Sequence, residues 1–232
     1  MSGSDRDLIL VEQESNKIRR LATMQPDYAE LYRMEDPFAT QPVRLKPSPG
    51  VELDRNVAVG LLRGNIIPQP PLRLQRAAGG RFTDFMWCTF TPILVISQRL
   101  VELLAAHGFS GWRIYDVEAS DKSDQIKHSY HGFAITGRAG GHDLRRVELV
   151  EKPPITPKGI PYRVLKGIYF EEDAWDGSDF CLMDENTSCI VTSKVVQAFG
   201  RAKIRNVHFT QLTQVEVPAD VYEVLGLWPL RE

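Results

Sequence analysis

Hydrophobic and polar positions settle into a readable rhythm only from Phe82 onward. Ile93-Leu-Val-Ile is a continuous apolar run, Ser97 stands where a helix N-cap belongs, and Leu100, Leu103 and Leu104 recur at helical spacing before Gly108. The spacing predicts a buried strand, a capped helix and a glycine stop. Past Gly108 and Gly111, Trp112-Arg-Ile-Tyr-Asp-Val puts Trp112 and Ile114 on one side and Arg113, Tyr115 and Val117 on the other, which is the period of a strand. The same order returns near the C-terminal end. Cys189-Ile-Val-Thr precedes Ser193, Val196 and Phe199 mark a helix, and Val207-His-Phe-Thr-Gln-Leu alternates as a strand. Ile93 to Ser97 aligns with Cys189 to Ser193 at a separation of 96, and Gly111-Trp-Arg-Ile aligns with Asn206-Val-His-Phe at 95. A degenerate internal duplication and two independent uses of a common supersecondary pattern both fit this spacing.

Between these units, Tyr130-His-Gly-Phe-Ala-Ile-Thr-Gly-Arg and Arg146-Val-Glu-Leu-Val read as two strands, and the turn Ala139-Gly-Gly-His-Asp suggests that they form a hairpin. Pro153, Pro154, Pro157, Gly159 and Pro161 make an extended connection to another strand, Val164-Leu-Lys-Gly-Ile-Tyr-Phe. Residues 1 to 80 are interrupted by eight prolines from Pro26 to Pro71, each of which removes a backbone donor and stops a helix. Within them, Leu8-Ile-Leu-Val reads as a strand, Asp27 to Met34 as a short helix capped by Asp27, and Val57 to Leu62 as a buried piece. The expected architecture is α/β or α+β, with two β-helix-β units sharing a mixed or antiparallel sheet. A loop-rich region, residues 1–80, packs on this α/β domain, residues 81–232, and no Gly/Ser linker divides them.

Composition narrows the function. With 232 residues, 43% of them hydrophobic and 25% charged, the chain has the make-up of an ordinary globule with a sizeable core. A net charge of −2 gives no overall field to hold a nucleic-acid backbone or an anionic membrane, so neither is expected as a direct partner. Cys88, Cys181 and Cys189 form neither an even set nor a CxxC pair and read as reduced, buried thiols. The first residues show no basic stretch followed by an apolar run, and the longest apolar tract, near Pro92 to Ile96, is strand-sized. A cytoplasmic protein is expected.

Catalytic signatures are sparse. No GxSxG elbow and no GxxxxGK[ST] loop occurs, and Gly137-Arg-Ala-Gly-Gly lacks the GxGxxG order. His128 and His131 have metal-pair spacing, with His142 and Asp143 as further ligands or acid-base groups. In a strand, however, positions three apart face opposite ways. The chain therefore reads as a binding protein without cofactor rather than an enzyme; a dispersed site at those histidines and a scaffold or chaperone for a secreted protein are the alternatives.

The most distinctive segment is acidic. Glu171, Glu172, Asp173, Asp176, Asp179, Asp184 and Glu185 follow one another with no Lys or Arg among them. One reading is a solvated loop in which Asp176 and Ser178 tie a turn around Gly177 while Trp175 and Phe180 anchor it to the core. The other is a docking surface for a basic protein such as a nuclease, with Glu171, Glu172, Asp173, Asp176 and Asp179 steering the encounter and Trp175 as the anchor.

Four groups of segments resemble a known family. They are Leu94-Val-Ile-Ser-Gln-Arg-Leu with Gly111-Trp-Arg-Ile-Tyr, Tyr130 to Arg138, Lys166-Gly-Ile-Tyr-Phe with Trp175-Asp-Gly-Ser-Asp-Phe, and Val191-Thr-Ser-Lys-Val with Arg205-Asn-Val-His-Phe. Over residues 82 to 217 or so, they resemble the myxobacterial-type immunity domain of bacterial polymorphic toxin systems. That resemblance implies a small cytoplasmic protein, encoded beside a toxin, that binds the toxin's catalytic domain and blocks it. It brings no catalytic or binding residue with it, and the matched segments look like fold-building pieces.

Overall fold

The computed structural model describes residues 25–121, 125–184 and 187–220, so the strand expected at Leu8 to Val11 lies outside the described residues. Among them are three α-helices and fifteen strands in four sheets, mixed or antiparallel. In chain order the first half contains β1 (Leu31–Glu35), β2 (Arg44–Pro47), α1 (Arg55–Leu62), β3 (Leu72–Ala78), β4 (Phe85–Trp87) and β5 (Leu94–Ser97). These are followed by α2 (Gln98–Ala106), β6 (Trp112–Tyr115), β7 (Val117–Ser120) and β8 (Tyr130–Ile135). The second half contains β9 (Gly137–Arg138), β10 (Glu148–Lys152), β11 (Tyr162–Lys166), β12 (Phe180–Leu182) and β13 (Cys189–Thr192), then α3 (Ser193–Arg201), β14 (His208–Gln211) and β15 (Glu216–Pro218).

Both β-helix-β units form, but in two sheets rather than one. The first sheet runs β4-β5-β8-β6 and the second β14-β1-β13-β12-β9. In each, a helix joins two strands that are parallel to one another, with an antiparallel strand inserted between them: β8 between β5 and β6, β1 between β13 and β14. The two units share a core instead of a sheet. Phe85, Ile96, Leu100, Leu104 and Phe133 from the first pack with Met34, Phe180, Val191, Val195 and Phe199 from the second. Burying each such side chain contributes roughly 1.5–3 kcal/mol, so this shared core is the main joint of the fold.

Local hydrogen bonds repeat between the units at a constant separation of 95 residues. Ser97 N donates to Asp84 O and its hydroxyl to Asp84 Oδ1; Thr192 does the same to Asp179. The helix exits match as well, with Phe109 N to Leu104 O in one and Ile204 N to Phe199 O in the other. The counterpart of Ser97 is therefore Thr192, which is the N-cap of α3, while Ser193 is already helical. The offset of 96 expected for the strand and cap is one too many. The hydroxyl pattern misled it, because serine follows threonine at that helix start.

Two further expectations fail for a common reason, which is strand pairing over distance. Asp27 does cap a turn, accepting from Ala29 N, but the turn is a single 3-10 turn, Tyr28–Glu30, and the chain then enters β1. Pairing with β13 and β14 on both edges outweighs the local helical pattern there. The hairpin expected between residues 130–138 and 146–150 is also absent. Both edges of β8 are taken by β5 and β6, and β10 pairs with β11 across the proline-rich loop. The remaining sheets, β2-β3-β7 and β10-β11-β15, flank the two units. In the N-terminal region α1 begins at Asp54, whose carboxylate accepts from Val57 N at 2.8 Å, and buries Ala58, Leu61 and Leu62. No helix among the described residues is long and apolar enough to cross a membrane.

Candidate partner-binding site

The acidic segment folds over β9 and the end of α2, and that placement decides what its carboxylates do. Asp176 accepts from Ser178 N at 2.9 Å and from Arg138 N at 3.0 Å, closing a turn at Gly177, whose φ is +78°. Asp179 accepts from Thr192 Oγ1 at 2.9 Å, Ser110 N at 3.0 Å and Ser110 Oγ at 3.2 Å. Both side chains tie the loop to the fold. Glu172 is ion-paired with Arg146, whose guanidinium also lies 4.7 Å from the Tyr28 ring and 5.0 Å from Tyr169.

Trp175 turns inward. Its ring sits 6.4 Å from Phe170, against a separate core that also holds Tyr28, Ile168 and Met183, and Nε1 is buried beside the Cys181 sulfur. Glu171 and Asp173 are the exposed carboxylates of the patch without a tie to the loop or an ion pair among the described residues, and they line a depression of about 520 Å³ with Asp143, Arg145, Arg146 and Glu172; Asp176 is exposed as well but holds the turn. The run without cations in sequence thus meets two arginines in space. Asp143 is itself engaged: the hydrogen bond from Arg145 holds its carboxyl below the usual range.

The histidines do not converge into a metal centre. His131 lies in β8 opposite Ile96, with Nε2 2.8 Å from Gln98 Oε1, and His128 is exposed just before that strand. His142 forms a bridge with Phe170 near the acidic loop, at a different part of the fold. Among the described residues no group of three or more His, Cys, Asp or Glu is placed to hold a metal ion. The cysteines are free and buried as expected. Burial pushes the Cys88 thiol up to about 12 and raises Cys181 and Cys189 as well, so all three stay protonated at neutral pH.

Two surfaces escaped sequence reading. Phe90, in the turn between β4 and β5, is 101% exposed, and Phe38 is 79% exposed. Both have left-handed backbones, with φ of 61° and 52°, a conformation that costs a residue with a Cβ roughly 1–2 kcal/mol. They line one recess of about 820 Å³, together with Leu53, Ala58, Trp87 and Pro92. The Arg44 guanidinium lies 5.4 Å from the Phe38 ring and pairs with Asp36. No periodicity marks such residues, because each is a single aromatic in a turn.

The second surface is a cleft of about 1030 Å³ where the segment 37–42, the loop before β4 and the exit of α3 meet. Arg81, Arg99, Lys203 and Arg205 line it against one carboxylate, Asp84. Aligning the two helix exits at 95 would have drawn attention to it, because Lys203 and Asn206 stand where the first unit has Gly108 and Gly111. Compared with family models and with curated proteins, the chain matches none of them.

Proposed function

We propose that this chain is an immunity protein: a cytoplasmic protein that binds a cognate bacterial toxin and covers its working surface, without chemistry or a cofactor of its own. The observation that carries the reading is the pair Phe38 and Phe90, strained aromatics held in water at the mouth of an apolar recess. Strain of this kind persists where the exposed side chain has a use, and aromatic anchors beside a pocket are typical centres of binding energy. The sequence resemblance supports the same reading. Its segments fall largely on β5, α2, β6, β8, β13, α3 and β14, the paired units that hold these loops in place.

In this reading the contact centres on the Phe38–Phe90 recess, and the acidic loop serves mainly to close the fold. The test is co-expression with the toxic domain encoded beside this chain, read by growth and by co-purification. Rescue with a stable complex is expected, and Phe38→Ala together with Phe90→Ala should abolish both while leaving the melting temperature unchanged or higher. Rescue without a complex, or a complex indifferent to both phenylalanines, rejects the reading.

A further inference from the structure

The cleft between the two units is positively charged in a protein whose net charge is −2. Its one carboxylate, Asp84, is already engaged, accepting from Ser97 Oγ at 2.7 Å and from Arg99 at 2.5 Å. Arg99 is also held in place, donating to Ala202 O at 2.6 Å. Arg81, Lys203 and Arg205 are different. All three are exposed, and none is ion-paired among the described residues. They come from both units, Arg81 from the first and the other two from the exit turn of α3, so the fold itself brings them together.

Lys203 has a left-handed backbone, φ 56°, at the position where the first unit has Gly108 with φ 65°. Glycine at such a helix end is the unstrained choice. Asn206, the other non-glycine of this turn, has a structural reason, since its Nδ2 donates to Phe85 O at 2.9 Å and its carbonyl accepts from Trp87 Nε1 at 2.7 Å. Lys203 makes no such bond, and what it contributes is a charge at the cleft. Between the cations the wall is mixed, with Pro37, Pro42, Ile204 and Val207 as its apolar part and Thr40, Gln41 and Thr83 as its polar part. Phe82, also in the lining, packs at a tilt on Tyr130, with ring centroids 5.5 Å apart, and has the Lys127 ammonium 5.9 Å from its ring.

We infer that this cleft binds an acidic peptide segment of a protein partner, with carboxylates on Arg81, Lys203 and Arg205 and aliphatic side chains against the apolar part of the wall. The occupant follows from charge complementarity to three cations unpaired among the described residues and from the aliphatic residues beside them. The inference rests on the chain being a protein-binding molecule but not on the partner being a toxin.

The full chain is panned against a random twelve-residue peptide library on phage, with the Arg81→Glu, Lys203→Glu, Arg205→Glu triple variant as counter-target. Recovered peptides should combine Asp or Glu with aliphatic residues. As synthetic peptides they should bind the wild type at least about tenfold more tightly than the variant, with the gap narrowing as salt is raised. Lys203→Gly, which removes one charge without adding strain, should give a smaller loss and keeps the test valid if the triple variant misfolds. Peptides without acidic excess, or equal binding to both proteins, overturn the inference. So does equal competition by ATP or inorganic pyrophosphate, which would make the ligand a phosphate, and so does self-association that the triple variant abolishes, which would make the occupant a second copy. No arm uses a toxin, so its failure and a failed rescue are separate results.

Discussion

The exit turns of α2 and α3 occupy equivalent places in the two units and have been put to opposite uses. At the first, Ser110 is bonded to Asp179, and Gly111 lies so close to Phe180 that a Cβ there would stand 2.0 Å from its carbonyl oxygen. At the second, Asn206 reaches Phe85 through its side chain, and the cationic cleft opens beside it. The positions facing the cleft, Arg81, Lys203 and Arg205, correspond at 95 residues to Asp176, Gly108 and Ser110, which carry no positive charge. What the two units retain around these turns is narrow: the helix-exit bond from Phe109 N to Leu104 O and from Ile204 N to Phe199 O, an Asp-Phe pair, 84–85 and 179–180, and a hydroxyl at the N-cap. The scaffold needs those few bonds, and the rest of each turn is free to become packing or surface.

Substitutions can break that comparison in a graded way. Gly111→Ala should be the most damaging, at least about 3 kcal/mol in chemical denaturation, because it adds both a clash with backbone and a strained φ of +81°. Asn206→Gly, its counterpart, should cost less than about 1 kcal/mol, since the strain relieved offsets much of the lost side-chain hydrogen bond. Asp179→Ala should follow at roughly 2–3 kcal/mol, since it leaves Ser110 N, Ser110 Oγ and Thr192 Oγ1 without their acceptor. A cost at or below that of Asp84→Ala would mean that the closed turn is no tighter than the open one.

At the helix starts, Ser97→Ala should lose about 1 kcal/mol, and Thr192→Ala distinctly less, as judged by thermal melts. Ser97 Oγ accepts from Leu100 N, whereas Thr192 makes no side-chain cap bond. The smallest effect should be a gain. Lys203→Gly is expected to stabilise the fold by up to about 1 kcal/mol, and any loss would show that this lysine has a structural partner.

Periodicity made the paired units legible, because each is built from contiguous residues: an apolar strand, a hydroxyl, a helix with apolar residues three and four apart, and a turn. It could not show that Tyr32 and Met34 lie in a central strand, since their partners are more than 150 residues away. The acidic loop shows a similar limit. Its charges were plain, yet Arg146 and Ser110, which engage them, come from other segments. Reversing Asp176 and Asp179 is therefore expected to unfold the loop, and Asp173→Lys is the cleaner probe of its surface. The cationic cleft gathers residues spread from Arg81 to Arg205, so no local stretch of sequence announced it.

The placement of β1 has a consequence for the order of events at the ribosome. It is made before everything it pairs with, and β13 and β14 emerge roughly 150 residues later, a wait of about 8–30 s at ordinary rates of synthesis. The first unit meets no such delay, because β4, β5, α2, β6 and β8 leave the tunnel as one run. The strand pairings of the first unit can therefore form while synthesis continues, whereas its face toward Phe180, Val191 and Phe199, and the middle strand of the second unit, wait until those later residues are out.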